Sequence, residues 1–256
     1  MRAISFTGST AVGSILLRQS ADTVKKVSLE LGGLGPFIVF ESADLNAAAD
    51  GLMLAKFRNS GQTCVCANNV LVQNSVHDEF VEIMEQKMKQ LKFGDVFDPT
   101  TNVSCLINER GTEKVEFQIS NAVEKGAVCR LGGARVDSAH VEPTLLTNVA
   151  RDSDVFQSET FGPICAVYPF ETENEAVDFA NEAEVGLAGY FYSRDHAQCW
   201  RVAEKLEVGM VGVNTGAISA AEGPFGGVKQ SGLGREGSTI GTEEFLETKY
   251  LCIGGL

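Results

Sequence analysis

Ala3-Ile4-Ser5-Phe6-Thr7-Gly8-Ser9-Thr10-Ala11-Val12-Gly13 reads as a strand, a glycine turn and the start of a helix. A strand entering a turn before a helix N-terminus is a natural phosphate cradle, because the free backbone N–H groups point at the anion. The spacing alone also fits a plain strand-to-helix turn, since no lysine follows to make a P-loop. The same alternation runs on from here. Strands are predicted at Ala3–Thr7, Lys26–Leu31, Phe37–Phe40, Asn69–Gln73, Val128–Leu131, Pro143–Val149, Cys165–Phe170, Leu187–Tyr192 and Gly209–Val213. Helices are predicted at Thr10–Ser20, Leu45–Arg58, Val76–Leu91, Gly111–Lys125, Glu173–Glu182 and Ala197–Leu206. Strand and helix in turn specify an α/β fold with mostly parallel pairing. The tail differs: Gly223–Gly237 is glycine-rich and reads as a loop, and Phe245–Cys252 reads as an apolar terminal strand that needs a partner sheet.

Bulk properties narrow the function classes. The chain has 256 residues, enough for one large or two modest domains, with 44% hydrophobic and 21% charged residues. A formal charge of −13 argues against a nucleic-acid backbone or an anionic membrane surface as partner. No run approaches the roughly 18 apolar residues of a membrane span. The N-terminus shows neither a secretory nor a transit pattern. Seven scattered cysteines suggest reduced thiols, not a disulfide framework.

Besides the Gly8–Gly13 turn, three segments carry chemistry. Gly61-Gln62-Thr63-Cys64-Val65-Cys66 places a thiol after a glycine-led turn whose backbone N–H groups can stabilise a thiolate. A buried structural cysteine is the competing reading, and Cys64 with Cys66 can also be a reversible redox pair. A zinc site needs further ligands at sensible spacing, and three scattered histidines do not provide them, so no metal is expected. Glu30, in Leu29-Glu30-Leu31-Gly32-Gly33, is a carboxylate in apolar company, which raises its pKa and suits a general base. An exposed strand-end residue is the alternative. Ser158-Glu159-Thr160-Phe161-Gly162-Pro163 pairs an acid with an aromatic face before a rigid turn, where ribose hydroxyls and a flat heterocycle can be held; a solvated Glu beside a core Phe is the competing reading.

In order along the chain, Phe6-Thr7-Gly8-Ser9-Thr10-Ala11-Val12-Gly13, Leu29-Glu30-Leu31-Gly32-Gly33, Gly61-Gln62-Thr63-Cys64, Glu159-Thr160-Phe161-Gly162-Pro163 and Pro224-Phe225-Gly226-Gly227 resemble the motifs of the aldehyde dehydrogenase superfamily. Lys56–Cys66, Val185–Tyr192 and Gly226–Glu236 resemble its NAD-dependent branch acting on succinate semialdehyde. The resemblance implies the catalytic domain of that family, a three-layer, mostly parallel α/β sheet at 33–230. A remnant of the Rossmann-like NAD-binding domain at 1–32 precedes it, and a segment with an oligomerisation strand at 231–256 follows. It implies Cys64 as nucleophile and Glu30 as the base that activates hydrolytic water. It implies Gly8 and Ser9 near the NAD pyrophosphate, Glu159 on the nicotinamide ribose and Phe161 beside the ring. Arg58 and Ser219 would hold the substrate carboxylate, and Cys66 would be a redox neighbour of Cys64.

The implied reaction oxidises an aldehyde to an acid, succinate semialdehyde to succinate in 4-aminobutyrate degradation, in a homo-oligomer (dimer or tetramer). The implied address is the mitochondrial matrix in a eukaryote and the cytoplasm otherwise. The family's N-terminal half, with most of the dinucleotide sheet and a second substrate arginine, has no counterpart in these residues. That keeps open a fragment or pseudoenzyme with an incomplete NAD site, acting at a subunit interface or as a cofactor-independent esterase. One local departure is Ser104-Cys105, where the branch has Gly-Pro.

Overall fold

The computed structural model describes residues 1–255. It contains a small three-stranded sheet, a large seven-stranded one and a two-stranded ladder, with the chain passing from the first to the second and then back. In the small sheet β1 (Ala3–Thr7) and β2 (Lys26–Glu30) run parallel, Ala3 opposite Lys26 and Thr7 opposite Glu30. Helix α1 (Thr10–Ala21) makes the crossover. Ser9 starts that helix: it is extended at φ −73° and ψ 148°, and its Oγ accepts from the Val12 N–H at 3.4 Å.

The large sheet begins with β3 (Phe37–Val39), followed by α2 (Leu45–Phe57), β4 (Asn69–Gln73) and α3 (His77–Met88). Next come α4 (Glu109–Glu124), β5 (Val128–Leu131), β6 (Thr144–Thr147), the single turn α5 (Asp154–Gln157) and β7 (Ile164–Phe170). Then α6 (Glu173–Asn181), the two-residue β8 (Val185–Gly186), which lies outside this sheet, β9 (Ala188–Tyr192), α7 (His196–Lys205) and β10 (Met210–Val213) follow. The strand order is β10-β9-β3-β4-β7-β6-β5, parallel everywhere except β5 against β6.

Alternate residues of the central strands feed two separate cores, as the pleat requires. Phe37, Val39, Val70 and Val72 pack under α2 and α3 with Ala48, Leu52, Phe80 and Met84. Ile38, Leu71, Ala166 and Tyr168 pack on the opposite face with Val115 and Ile119 of α4, Ala176 of α6 and Val202 of α7. Helices on both faces make three layers and explain why the central strands read as near-continuous apolar runs.

Two expectations about the tail change. Gly223–Gly237 is not all loop: β11 (Val228–Lys229) pairs antiparallel with β8, and β12 (Gly232–Leu233) pairs antiparallel with β2. Phe245–Cys252 forms no strand. Phe245 closes a short 3-10 turn over Glu243–Phe245, and residues 246–255 join no ladder among the described residues. A terminal strand exists only on a sheet edge that pairs with it, and among the described residues no strand of this chain pairs with the segment. Phe245, Leu246, Tyr250, Leu251 and Ile253 are exposed there.

Ser231 ties the end of β2 to β8. Its side chain is wholly buried. Its Oγ donates to the Gly32 carbonyl at 2.7 Å and accepts from the Gly186 N–H at 2.9 Å, and its carbonyl accepts from the Leu31 N–H at 2.9 Å. Ser231→Ala leaves a buried carbonyl and a buried N–H without partners and is expected to lower stability by about 1–3 kcal/mol. Urea denaturation measures this, and an unchanged midpoint would show that the hydroxyl is dispensable.

Candidate active site

The Cys64 turn is forced by the way α2 ends. Arg58 leaves the helix at φ −54° and ψ 132°. Asn59 (φ 51°), Ser60 (φ 56°) and Gly61 (φ 78°) then follow in the left-handed region. For Asn59 and Ser60, which carry L side chains, this conformation is unfavourable and persists only when the surroundings fix it. Here residues 104–107 do so. Ser60 Oγ accepts from the Ser104 N–H at 2.9 Å and donates to the Ser104 carbonyl at 3.2 Å. Gln62 Nε2 donates to the Cys105 carbonyl at 3.3 Å, and its Oε1 accepts from the Ile107 N–H at 2.9 Å. The main chain around the local departure Ser104-Cys105 thus clamps the turn. Gly61 is glycine for two reasons: its φ, and the Gly162 carbonyl oxygen only 2.3 Å from where a Cβ would stand.

That turn delivers Cys64 to a cleft of about 570 Å³ between the carboxyl ends of β1 and β2 and the segments entering β4 and β7. Gly8, Ser9, Glu30, Arg58, Cys64, Glu159, Phe161 and Ser219 all line it, although they come from six separate stretches of sequence. Cys66 does not line it. Its thiol is 2% exposed and turned toward α2, where it donates to the Lys56 carbonyl at 3.6 Å.

Glu30 is 2% exposed, and neither carboxylate oxygen has a hydrogen-bond partner among the described residues. Burial raises its pKa to about 7, Glu236 pushes it in the same direction and Arg235 opposes. The strap after β11 provides both neighbours, with Arg235 Nη1 held by the Gly227 carbonyl at 2.9 Å and the Gly234 carbonyl at 2.7 Å. Glu159 is raised as well, first by burial; the Gly33 N–H, donating to Oε1 at 3.1 Å, opposes, as do Lys114 and Lys56. A Cβ on Gly32 would stand 2.8 Å from Glu159 Oε2, so glycine is what lets that carboxylate lie against the end of β2.

Cys64 differs from expectation. Burial pushes its thiol up and the Glu159 carboxylate adds to this; the Cys64 N–H opposes, Glu30 raises it further and the Val65 N–H opposes. Two carboxylates and a dry wall outweigh the turn, so ionising Cys64 needs a base. Glu30, whose pKa burial raises to about 7, lines the same cleft.

Several contributors were not singled out from the sequence. Ser231, Arg235 and Glu236 sit in a stretch that glycine makes look like loop. Lys56 is wholly buried on α2, four residues after buried Leu52, and that helical spacing was the available signal. Among the described residues no group of three or more His, Cys, Asp or Glu side chains could hold a metal, and no helix is long and apolar enough to cross a membrane.

The sequence model of the aldehyde dehydrogenase family matches residues 1–251, and the chain belongs to that family. It is 60% identical over 256 residues to the mouse (Mus musculus) protein named succinate-semialdehyde dehydrogenase, mitochondrial, covering 99% of this chain and 49% of the mouse protein. It is 51% identical to a probable succinate-semialdehyde dehydrogenase [NADP(+)] of Sinorhizobium fredii, covering 100% of this chain and 52% of that protein. The crystal structure of succinate-semialdehyde dehydrogenase from Burkholderia pseudomallei superposes with a TM-score of 0.97 at 52% identity, covering 99% of this chain and 53% of that one. The chain therefore spans about half the length of the relatives it matches.

The raised Glu30 pKa makes stability depend on pH. The folded carboxyl keeps its proton up to about 7, while an unperturbed one loses it near 4.5. Between those values the folded state binds more protons than the unfolded state, so stability falls as pH rises through the window. Glu30→Gln removes the effect. The variant is expected to match wild type near pH 4.5 and to exceed it above pH 7, by on the order of 3 kcal/mol. Urea unfolding across that range tests this, and a pH-independent difference would contradict it.

Proposed function

We propose that the cleft oxidises an aldehyde to a carboxylic acid with NAD as cofactor, and that succinate semialdehyde is the substrate. The observation that carries this reading is one cleft lined by a cysteine, a buried carboxyl with a pKa near 7 and an exposed arginine. In it, Cys64 Sγ gives its proton to a base and bonds to the aldehyde carbon. The oxygen so formed carries negative charge, and the Cys64 N–H partly offsets it. Once the acyl group is a thioester on Cys64, Glu30 takes a proton from water, and the hydroxide displaces the sulfur and releases the acid. Burial matches Glu30 to that task, because a carboxyl with a pKa near 7 accepts a proton far better than an ordinary one.

The residues present fit a nicotinamide cofactor. Glu159 offers a partly buried carboxylate for ribose hydroxyls, and Phe161 lines the same cleft as a flat apolar face. Gly8 and Ser9 lie at the N-terminus of a twelve-residue helix with no acidic residue in its first turn, which suits a pyrophosphate. NAD, when bound, supplies the hydride acceptor. The preference for NAD over NADP follows the resemblance of residues 56–66 and 185–192 to the NAD-dependent branch, while the Sinorhizobium relative is named for NADP.

Arg58 and Ser219 give the cleft its selectivity. A guanidinium grips a carboxylate through two parallel hydrogen bonds, which suits an aldehyde carrying a second, anionic end. The names of the mouse and Burkholderia relatives support that substrate, and the mouse name supports a mitochondrial address. The exposed apolar side chains of 245–253 support pairing with a second copy of the chain. A second reading, acyl hydrolysis without cofactor, is favoured by one observation: Cys64 and Glu30 both lie on this chain, whatever holds the rest of the dinucleotide.

NADH formation from succinate semialdehyde is the decisive assay. Cys64→Ala is expected to abolish it. Arg58→Leu is expected to raise KM roughly 10–100-fold for succinate semialdehyde, as loss of a charge-assisted pair does, with little change for an uncharged aldehyde. Equal losses on both aldehydes would sink the role of Arg58. Nitrophenyl acetate hydrolysis that needs Cys64, without any NADH formation, would favour the second reading.

A further inference from the structure

Lys56 lies one residue before the end of α2 and is wholly buried. Its Nζ has two hydrogen-bond acceptors, neither a carboxylate: Cys66 Sγ at 3.4 Å and Asn68 Oδ1 at 3.5 Å. An ammonium out of water with only neutral, distant acceptors is costly. Cys66 is 2% exposed beside it, with its sulfur facing the end of α2 and away from the substrate cleft. Cys165 is buried and lies within the electrostatic reach of both.

We propose that Lys56 Nζ and Cys66 Sγ form a covalent N–O–S bridge when the protein meets dioxygen. The gap of 3.4 Å accepts one bridging oxygen with less movement than a direct sulfur–nitrogen bond requires. In the balanced step the S–H bond and one N–H bond of the amine break, and S–O and O–N bonds form. Sulfur and nitrogen each lose two electrons. Dioxygen takes all four: one of its atoms becomes the bridge and the other leaves as water with the two hydrogens. A lysine that starts as ammonium first releases its extra proton to solvent.

The bridge closes a ring over residues 57–65, which contains Arg58, the left-handed turn and Cys64. It therefore fixes the turn that presents Cys64 while leaving the Cys64 thiol free. A Cys64–Cys66 disulfide would instead consume that thiol. The inference rests on the Lys56–Cys66 geometry and not on the substrate assigned above.

Intact-mass and peptide analysis of aerated and anaerobic protein separates the outcomes. The bridge adds one oxygen and removes two hydrogens, a gain of about 14 Da that dithiothreitol reverses. A digest is expected to show one crosslinked species joining Lys56 to Cys66, absent anaerobically and absent in Lys56→Arg and Cys66→Ser. If either variant fails to fold, the wild-type digest decides alone. An unchanged mass would overturn the proposal. So would a Cys64–Cys66 or Cys66–Cys165 disulfide, or oxygen added to Cys66 with Lys56 unmodified.

Discussion

The site depends on keeping one carboxyl dry. Glu30 stands at the end of β2 with both oxygens unpartnered, and a polar group so placed costs free energy that the fold must offset. What holds it there is the return of the chain. After leaving the large sheet at β10, the backbone comes back to lay β12 antiparallel on β2, with Gly232 opposite Glu30. Ser231 then ties Gly32, Gly186 and Leu31 together through three hydrogen bonds. Without that strap, β2 would present Glu30 to solvent and the carboxyl would behave as an ordinary acid. The strap also sets the local field, since Glu236 and Arg235 act on Glu30 in opposite directions. Burial is the larger effect, so the balance of those two charges trims the result and does not create it.

The opposite wall is built differently. Cys64 is placed by a strained turn, and the strain is contained by side-chain hydrogen bonds from Ser60 and Gln62 to residues 104–107. The large sheet beneath is packed on both faces and gives the turn a fixed platform at the start of β4. A mobile carboxyl and a mobile thiol would share one cleft only occasionally. Here each is fixed by its own sheet, and the cleft is the gap between the two.

Much of this was legible in the sequence because period and punctuation agree. The strand limits Ala3–Thr7, Asn69–Gln73 and Val128–Leu131 coincide with the structure, since each is a short β-rich run bounded by turn residues. The line-up of Gly8, Glu30, Arg58, Cys64, Glu159, Phe161 and Ser219 on one cleft was expected from their motifs. What could not be read depends on contacts distant in sequence. Two-residue strands such as β11 and β12 have no periodicity to detect, so the strap looked like loop. The direction of the Cys64 shift depends on two carboxylates brought from positions 30 and 159. The terminal apolar segment carries strand composition, but composition cannot provide the edge that a strand needs.

Direct titration of Glu30 tests the account at its centre. Carboxyl carbon NMR of protein labelled at glutamate, with Glu30→Gln to assign the resonance, follows that one group through neutral pH. A midpoint near 7 is what a buried, unpartnered Glu30 under the strap predicts, whereas a midpoint near 4.5 would show the carboxyl to be solvated and the proposed base to be an ordinary acid.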